Sequence, residues 1–347
     1  MAGSEPPLAV LLPVRDAART LGAALESLRA QSFRDFRLFV IDDGSRDETP
    51  QLLRGERSRW GDRPALTLLR LEAPAGIAAA LAAGAAAARD HPLLARQDAD
   101  DRSLPPRLER QQAFLQEHPD VALVATDVRL ESETPITDGW RRYERWLRAC
   151  SGPEEIAINL WIESPLPHPT VMMRREAYER AGGYRDGPWP EDYDLWLRMH
   201  RGGERMAKLP EELYVWTDHP GRASRTQPQY GSDRFLECKA HHLAAYLAGR
   251  PVIVWGAGRD GRRMARALLR EGARITAFLD IDPRKIGRRA YGLSIRAAED
   301  WLAELAPRDG AAPIVLAAVG TEGARELIRS RLLGAGLTEG DDFLCVA

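Results

Sequence analysis

Short apolar runs alternate with segments of helical periodicity over the first hundred residues. The apolar runs have the length of buried parallel strands, and they occupy residues 8–14, 37–41, 65–71 and 93–96. Between them, leucines recur at helical spacing after Thr20, a candidate N-cap, and further helices are predicted from Thr49 and Ile77. Strands that alternate with helices form a mostly parallel sheet, which binds ligands at the carboxyl ends of its strands.

The pattern is irregular between residues 131 and 169 and becomes regular again towards the end of the chain. The middle part predicts helices over 140–147, 176–181, 193–199 and 235–247, and a mobile polar loop over 222–230. From residue 251 the alternation restarts, with predicted strands over 252–255, 275–279, 314–319 and 343–346 and a helix over 264–270. The sequence therefore predicts an α/β domain over 1–230, a linking helix over 231–249 and a smaller parallel-sheet domain over 250–347.

Composition and charge narrow the class of protein. Of 347 residues, 44% are hydrophobic and 29% are charged, which is typical of a globular protein long enough for two cores. A net charge of -2 gives no support to nucleic-acid binding. Cys150, Cys238 and Cys345 are far apart and predict neither a disulfide framework nor a zinc site.

We expect neither a signal peptide nor a membrane span. Residues 1–7 carry no basic region and no long apolar run. No stretch reaches the roughly 18 to 20 apolar residues that cross a bilayer. The predicted location is the cytoplasm, with peripheral association at the inner face of the membrane left open.

Two acidic clusters follow predicted strands. Asp43, next to Gly44, can accept hydrogen bonds from a base or a ribose, although an Asp-Gly pair after a strand is also a plain turn. Asp98, Asp100 and Asp101 form an Asp-x-Asp motif whose carboxylates repel each other unless a cation or water relieves them. Such oxygens suit Mg²⁺ together with substrate phosphates, and the alternative is a solvated acidic turn.

A third acidic cluster opens the helix predicted over 193–199. Glu191, Asp192 and Asp194 lie at its amino end, where the helix dipole favours negative charge for structural reasons alone. The functional alternative is a general base that removes the proton of an attacking hydroxyl.

Five motifs in order resemble the family 2 glycosyltransferases. They span roughly residues 7 to 225 with the order and spacing of that family. The motifs are Pro13-Val14-Arg15, VIDDGSRDET over 40–49, DADD over 98–101 with PPRLE over 105–109, HPTVMMR over 168–174 with GGY over 182–184, and EDYDLWLR over 191–198. The resemblance implies the GT-A fold, a nucleotide-binding αβα sandwich, and transfer with inversion of the anomeric centre.

On the donor side, the resemblance implies a role for each matching residue. Pro13, Val14 and Arg15 would line the nucleotide pocket, and Gly76 and Arg96 would belong to the same donor-binding set. Asp43 would contact the base, Asp98 the ribose side, and Asp100 the metal and the diphosphate, with Asp101 as a helper. The chain has Asp16 and Ala82 where many relatives have Asn, which puts donor-specific contacts in doubt.

On the acceptor side, the resemblance makes Asp192 the catalytic base, with Glu191 or Asp194 as alternatives. His219 matches a late loop of the family that can close over the metal and diphosphate. His168 matches a position beside the acceptor pocket. A lone histidine is also commonly structural, so both roles remain open. Trp189, Tyr193 and Trp196 could stack on sugars, although the position of Trp196 within a helix favours a core residue.

The region after residue 251 carries a dinucleotide fingerprint. Gly256, Gly258 and Gly261 follow a predicted strand, and Asp280 lies 24 residues after Gly256, close to the spacing of a ribose-binding acid. This region resembles the small Rossmann-like modules of polysaccharide-biosynthesis enzymes. A nucleotide-binding module, a packing or oligomerisation domain and an NAD-dependent enzyme all remain open.

The sequence thus predicts an inverting, metal-dependent hexosyltransferase of α/β class, with a GT-A domain followed by a Rossmann-like domain. It would use Mg²⁺ or Mn²⁺ and a nucleotide-sugar donor, which is commonly a UDP-sugar in this family. The acceptor would be a glycan, a lipid-linked molecule or another hydroxyl compound, and the pathway would be surface polysaccharide biosynthesis. The alternatives are an NAD(P)-dependent sugar-nucleotide oxidoreductase or epimerase and a non-catalytic sugar-nucleotide binding protein. No nucleic acid partner is expected, and oligomerisation through the C-terminal domain is left open.

Overall fold

A computed structural model describes residues 6–60, 65–132, 135, 137–305 and 312–347. The chain divides into two compact units: Met1–Ile156 with Pro165–Pro228, and Ala157–Ser164 with Gln229–Ala347. The first five residues, on which the signal-peptide expectation depends, lie outside the described part. Within the described residues, no helix combines the length and the apolar character needed to cross a membrane.

The first unit is built on a mixed sheet. Its strands are β1 (Leu8–Val14), β2 (Phe36–Asp42), β3 (Ala65–Arg70), β4 (Leu93–Arg96), β5 (Arg102–Ser103), β6 (Val121–Ser132), β7 (Met172–Arg174) and β8 (Arg205–Asp218). Its helices are α1 (Leu21–Arg29), α2 (Thr49–Glu56), α3 (Ile77–Ala87), α4 (Arg107–Glu117), α5 (Asp138–Arg148), α6 (Pro153–Asn159, which runs into the second unit), α7 (Arg175–Arg180), α8 (Glu191–Arg201) and α9 (Ala223–Thr226).

The strand order of this sheet is β3-β2-β1-β4-β7-β6-β8-β5. Strands β3, β2, β1 and β4 run parallel to one another, whereas β7 is antiparallel to both of its neighbours, β4 and β6. The apolar run of β1 is buried at nearly every position because it lies in the middle of the sheet with helices on its faces. The α/β class and the curved main sheet with a second, smaller sheet agree with the predicted fold.

Helix α3 shows how close the helices approach this sheet. It is almost entirely alanine, and a Cβ placed on Gly84 would lie 2.6 Å from Cδ1 of Ile41 in β2. A side chain at position 84 would require the end of the Ile41 side chain to move, so glycine and alanine here allow close helix–sheet packing.

Thr20 is the N-cap residue of α1, as predicted, but its hydroxyl donates to the carbonyl of Ala17 at 3.4 Å and accepts no hydrogen bond from a helix amide. Another local prediction was wrong. The segment 222–230, predicted to be a mobile loop, contains α9 and a short 3-10 turn at Pro228–Tyr230. Most predicted strands and helices of the first unit lie within two residues of the observed bounds, but β6 and β8 were not predicted.

The second unit holds a smaller sheet. Its strands are β9 (Val252–Trp255), β10 (Ile275–Asp280), β11 (Arg289–Ala290), β12 (Leu293–Ala297), β13 (Ile314–Ala317) and β14 (Phe343–Cys345), and its helices are α10 (Ser232–Leu247), α11 (Arg259–Arg270), α12 (Ala298–Ala303) and α13 (Ala324–Gly334). The order is β11-β12-β10-β9-β13-β14, parallel except for the β11–β12 pair. Helix α10, treated as a linker in the sequence analysis, is counted with this unit.

A buried lysine ties three segments of the second unit together. The Lys239 ammonium on α10 donates to the carbonyl oxygens of Ile162 at 2.6 Å and Val346 at 2.8 Å. Burial lowers the pKa of Lys239 to about 8. These bonds give a physical reason for the assignment of residues 157–164 to this unit.

Candidate active site

The predicted donor-side residues follow three neighbouring strands. Strand β1 pairs in parallel with β2 and β4, with Val14 opposite Asp42 and Leu11 opposite Arg96. The segments that follow these strands therefore leave the sheet at the same edge. The loop from Asp43 and the loop from residue 97 both begin there.

Asp43 organises the first of these loops. Its two carboxylate oxygens accept hydrogen bonds from the backbone amides of Ala75 and Gly76, at 2.7 and 3.0 Å, and its side chain is nearly buried. Arg15 is exposed, with Nη1 4.0 Å from Asp43 Oδ2. Asp43 thereby fixes the turn that enters α3, where Gly76 has a φ of +90° that favours glycine.

Pro13 and Val14 are the last residues of β1, half-buried and buried respectively, and they lead into the loop after that strand. The next residue but one, Asp16, has a left-handed φ of +48° and accepts a hydrogen bond from the amide of Arg46 at 2.8 Å. Its own amide donates to Ser45 Oγ at 3.0 Å. Asp16 therefore connects the loops after β1 and β2 through these hydrogen bonds. Like the Asn found in many relatives, Asp tolerates the left-handed region.

The second acidic cluster is compact. Asp98, Asp100 and Asp101 each present a ligand atom, and these atoms lie within 4.8 Å of one another. Asp101 is fully buried, whereas Asp98 and Asp100 are partly exposed. Three carboxylates at this separation repel each other and require nearby cations.

Two arginines provide those cations. Arg96 is buried and bonds to Asp98 Oδ1, and Arg222 Nη2 lies 3.8 Å from Asp98 Oδ2 and 3.5 Å from Asp101 Oδ2. Burial opposes ionisation of Asp98, but the charges of Arg96 and Arg222 outweigh it and hold its pKa below the ordinary value. For Asp101, burial dominates and raises the pKa well above its usual range despite Arg222.

Arg222 was missed by sequence reasoning, which placed it in the loop predicted to be mobile. Its Nη1 donates to the carbonyl of Thr217 at 2.7 Å, and its guanidinium lies over the Trp216 ring, 4.8 Å from the centroid. Gln97 and Tyr214 were missed as well: Gln97 Nε2 donates to the Asp98 and Asp101 carbonyls and to the Tyr214 hydroxyl, at 3.0 to 3.1 Å. No motif or residue spacing in the sequence indicated these contacts of Arg222 or of Gln97 with Tyr214.

Asp100 points to a different partner. Its Oδ2 lies 2.9 Å from Nε2 of His219, just after β8, and both side chains are about one quarter exposed. The donor set of three carboxylates and one imidazole fits a hard divalent cation such as Mg²⁺ or Mn²⁺, with the imidazole better suited to the transition metal. The predicted pairing of Asp100 with His219 is thus present in the structure as a direct contact.

The third cluster lies at the start of α8. Asp192 Oδ1 accepts the amide of Tyr193 at 2.7 Å. Nδ1 of the buried His168 lies 3.3 Å from Oε1 of Glu191, and its Nε2 lies 2.9 Å from the hydroxyl of Tyr184. The acid and the histidine predicted for the acceptor side are therefore neighbours.

Burial sets the protonation of this cluster. It lowers the pKa of His168 to about 3, with the charge of Arg96 acting in the same direction, so the imidazole is neutral at neutral pH. Burial raises the pKa of Asp192 to about 6, and the carboxylate of Glu191 adds to that rise. A carboxylate with this pKa is ionised at neutral pH and is a better proton acceptor than an ordinary aspartate.

Arg96 links the second and third clusters. Its charge acts on Asp98, on His168 and on Asp192. Because such effects fade with distance, the arginine lies within electrostatic reach of both clusters. The charge of one buried guanidinium therefore influences residues predicted for the donor side and residues predicted for the acceptor side.

Other predicted residues fall elsewhere. Tyr193 and Trp196 are fully buried in the core, which removes them as sugar-stacking surfaces, whereas Trp189 is half-buried. Asp194 is held by Arg198 through bonds of 2.7 and 2.9 Å. In the second unit, Gly256, Gly258 and Asp280 line a cavity at the start of α11, and Gly261 packs beneath it.

The first unit matches a known protein family. A family model described as Glycosyl transferase family 2 matches residues 9–182, half of the chain. The putative glycosyltransferase EpsE of Bacillus subtilis is 33% identical over 236 residues, covering 67% of this chain and 81% of its own. The amylovoran biosynthesis glycosyltransferase AmsE of Erwinia amylovora is 31% identical over 193 residues, covering 56% and 68%.

A solved structure shares the fold. The crystal structure of S. aureus TarS 1-349 in complex with UDP-GlcNAc superimposes with a TM-score of 0.56 at 18% identity, covering 76% of this chain and 71% of that one. The names of these relatives favour glycosyl transfer over the oxidoreductase or epimerase alternative.

Proposed function

Because the chain belongs to glycosyl transferase family 2, we propose that its first unit transfers a sugar from a nucleotide sugar to an acceptor hydroxyl with inversion. The observation that supports this most directly is that Arg96, which is paired with Asp98, also acts electrostatically on Asp192. One buried guanidinium therefore influences both a cluster of acids suited to a diphosphate-bound cation and an acid suited to accept a proton.

Asp192 is the base in this proposal. The acceptor oxygen forms a bond to the anomeric carbon, and the bond from that carbon to the diphosphate oxygen breaks. The leaving nucleoside diphosphate takes the electron pair of the broken bond, and the hydroxyl proton passes to the Asp192 carboxylate. A single displacement of this kind inverts the anomeric centre and needs no covalent intermediate on the protein. Neutral His168 and the adjacent Glu191 shape the acceptor side, where the half-buried Trp189 could meet a sugar.

The donor pocket is formed by the loops after β1, β2 and β4. Pro13, Val14 and Arg15 would line the nucleotide, Asp43 would face the base, and Asp98 the ribose side. The hydrogen bonds that Asp43 makes to the turn before α3 hold this wall in place before any ligand arrives. A preorganised wall binds its ligand with less loss of conformational entropy.

Asp100 and His219 would hold Mg²⁺ or Mn²⁺. When bound, the cation supplies positive charge that stabilises the departing diphosphate. Arg222 holds the neighbouring carboxylates of Asp98 and Asp101 in position, so that Asp100 remains the more accessible acid at the mouth of the cluster.

The names of relatives suggest the pathway. AmsE is named for amylovoran biosynthesis and the Escherichia coli protein WbnJ for O-antigen biosynthesis. We therefore place this chain in surface polysaccharide biosynthesis, acting on a glycan or lipid-linked acceptor in the cytoplasm or at the inner face of the membrane. A UDP-sugar is the preferred donor, and the TarS complex with UDP-GlcNAc shows that this fold accepts such a ligand in that protein.

A ligand screen tests the proposal. UDP-, dTDP- and GDP-sugars are added to the full chain with Mn²⁺ or with EDTA, and the melting temperature is recorded. A true donor raises the melting temperature according to how far its concentration exceeds its dissociation constant. We expect a rise that needs Mn²⁺ and that Asp100→Ala abolishes. If the Mn²⁺-dependent rise is unchanged in Asp100→Ala, the assignment of the metal ligand is wrong.

A further inference from the structure

The second unit contains a cavity that the transferase reaction does not use. It has a volume of about 550 Å³ and lies at the carboxyl ends of β9, β10 and β13. Strand β9 is followed in the chain by β10 on one side, and β13 is followed by β14 on the other side, so the strand order reverses between β9 and β13. Open parallel sheets bind ligands at such a crevice, and the volume lies within the usual range for small-molecule sites, roughly 300 to 1,000 Å³.

Two of the three fingerprint glycines are required by the protein itself. A Cβ on Gly261 would lie 1.8 Å from the carbonyl oxygen of Gly256. Gly256 has a φ of +118°, and a Cβ there would lie 2.9 Å from the carbonyl oxygen of Ala318. Packing within the chain therefore accounts for glycine at these two positions, and neither glycine is evidence for a ligand.

Gly258 is different. Its φ of -85° suits any residue, and a Cβ there would meet nothing closer than Nζ of Lys285 at 3.9 Å. Gly258 lines the cavity and immediately precedes α11, whose first amides are not capped by any side chain. Packing within the chain does not require a glycine at this position, and its effect is to keep space open between the helix terminus and Lys285.

Asp280 positions that lysine. Its Oδ2 accepts the amide of Ala257 at 2.8 Å and Lys285 Nζ at 3.0 Å, and its Oδ1 accepts the amide of Asp282 at 2.9 Å. Both oxygens of the acid predicted to bind ribose thus have partners within the chain. Asp280 holds Lys285 beside the turn, and Lys285 together with the helix amides faces the cavity.

Two exposed apolar side chains also line the cavity. They are Ile281 and Leu327, and 60% and 52% of their surfaces are accessible. Ile281 follows β10 and Leu327 lies on α13, so the two side chains come from different elements. The charged part of the lining is mixed, with three basic and three acidic residues: Arg259, Lys285, Arg331, Asp260, Asp280 and Asp282. A lining that combines a lysine and helix amides with exposed apolar side chains is suited to a ligand that joins a phosphate to a flat ring.

We propose that this cavity binds a nucleotide, with a phosphate between the start of α11 and Lys285 and the base against Ile281 and Leu327. Among the described residues that line the cavity there is no Tyr, His or Cys. The proposal is therefore one of binding, without hydride transfer, and it is independent of the reaction in the first unit.

Calorimetric titration of the full chain tests the proposal. UMP, UDP, ADP, ribose 5-phosphate and inorganic phosphate are titrated in EDTA, in an Asp100→Ala background that weakens the metal-dependent site of the first unit. We expect at least one nucleotide to bind at micromolar concentration, and the uridine and adenosine arms identify the base. Ribose 5-phosphate should bind at least tenfold more weakly, because it lacks the base.

Three variants test whether the nucleotide binds in this cavity. Lys285→Gln should weaken the nucleotide at least tenfold, whereas Arg284→Gln, an exposed neighbour outside the cavity lining, should change affinity less than twofold. Gly258→Ala should weaken binding, because its Cβ enters the space between the helix terminus and Lys285. The melting temperature of this variant is recorded as well, because alanine is a poorer N-cap than glycine. The proposal is overturned if no nucleotide binds below 1 mM, or if Lys285→Gln and Gly258→Ala both bind as the parent does.

Discussion

Two acidic clusters of the first unit contain the same side chain under opposite conditions. Both residues are half-buried, but Asp98 lies against two arginines, which hold its pKa below the ordinary value. Asp192, at the start of α8, forms no ion pair with an arginine or lysine among the described residues, and desolvation raises its pKa to about 6. The difference shows how one residue type can serve both to carry fixed negative charge and to exchange a proton, according to its neighbours.

The largest expected effect concerns the base. Asp192→Asn keeps the shape of the side chain but removes its ability to accept a proton, and we expect kcat to fall by about 10² to 10⁴. Donor binding, measured by calorimetry with Mn²⁺, should remain within about threefold. The exposed Asp90→Asn is the matched control and should be fully active. Normal turnover in Asp192→Asn would move the role of base to another residue.

The next effect concerns the cation of the other cluster. Arg222→Met leaves Asp98 and the buried Asp101 without one of their counter-charges, and breaking a buried pair typically costs about 3 to 5 kcal/mol. Urea denaturation at neutral pH measures the loss. Arg110→Met removes an arginine from the surface pair with Glu211 and should cost at most about 1 kcal/mol. Equal losses of unfolding free energy in the two variants would show that Arg222 does not stabilise the acidic cluster.

A third test concerns the effect of the raised pKa of Asp192 on the free energy of unfolding. A raised folded-state pKa contributes stability below the ordinary value of 3.8, and this contribution is lost as the pH rises through about 6. Asp192→Asn stays neutral throughout, so it should be more stable than the parent by up to about 3 kcal/mol at pH 7.5. The gain should shrink as the pH approaches 4. A variant no more stable than the parent at pH 7.5 would contradict the burial argument.

The smallest effect is a pH dependence. Only ionised Asp192 can take the proton, so kcat/KM should fall about tenfold per pH unit below pH 6 and be level above it. The measurement is initial transfer rate across pH 5 to 8 with saturating Mn²⁺. A profile that stays flat down to pH 5 would mean that the base keeps an ordinary carboxylate pKa.

The sequence predicted the parts of the fold that depend on short-range patterns. Strands β1 and β4 were predicted with their observed bounds, because buried central strands are continuous apolar runs. Strand β8 was missed, since Pro210 and the two acids after it interrupt its apolar pattern. Its neighbours in the sheet are β6 and β5, and pairing across that distance in the chain leaves no local signal.

The candidate site divides in the same way. The acids that match family motifs were named in advance, whereas the cation that relieves their repulsion, Arg222, was assigned to a mobile loop because its surroundings are polar and contain proline. Asp280 was expected to meet a ribose from spacing alone, but its oxygens turn inward to Ala257, Asp282 and Lys285. Spacing identifies which residues reach a site, and only the folded chain shows which way their polar atoms face.

The contact between Arg222 and the Trp216 ring has a practical consequence. Trp216 also meets the Trp140 ring edge-on at 5.6 Å, and it precedes His219 by three residues. Movement of this segment when a donor binds would change the surroundings of an indole, so we expect intrinsic fluorescence to report binding without an attached dye. Trp216→Phe identifies which part of the emission belongs to this optical probe.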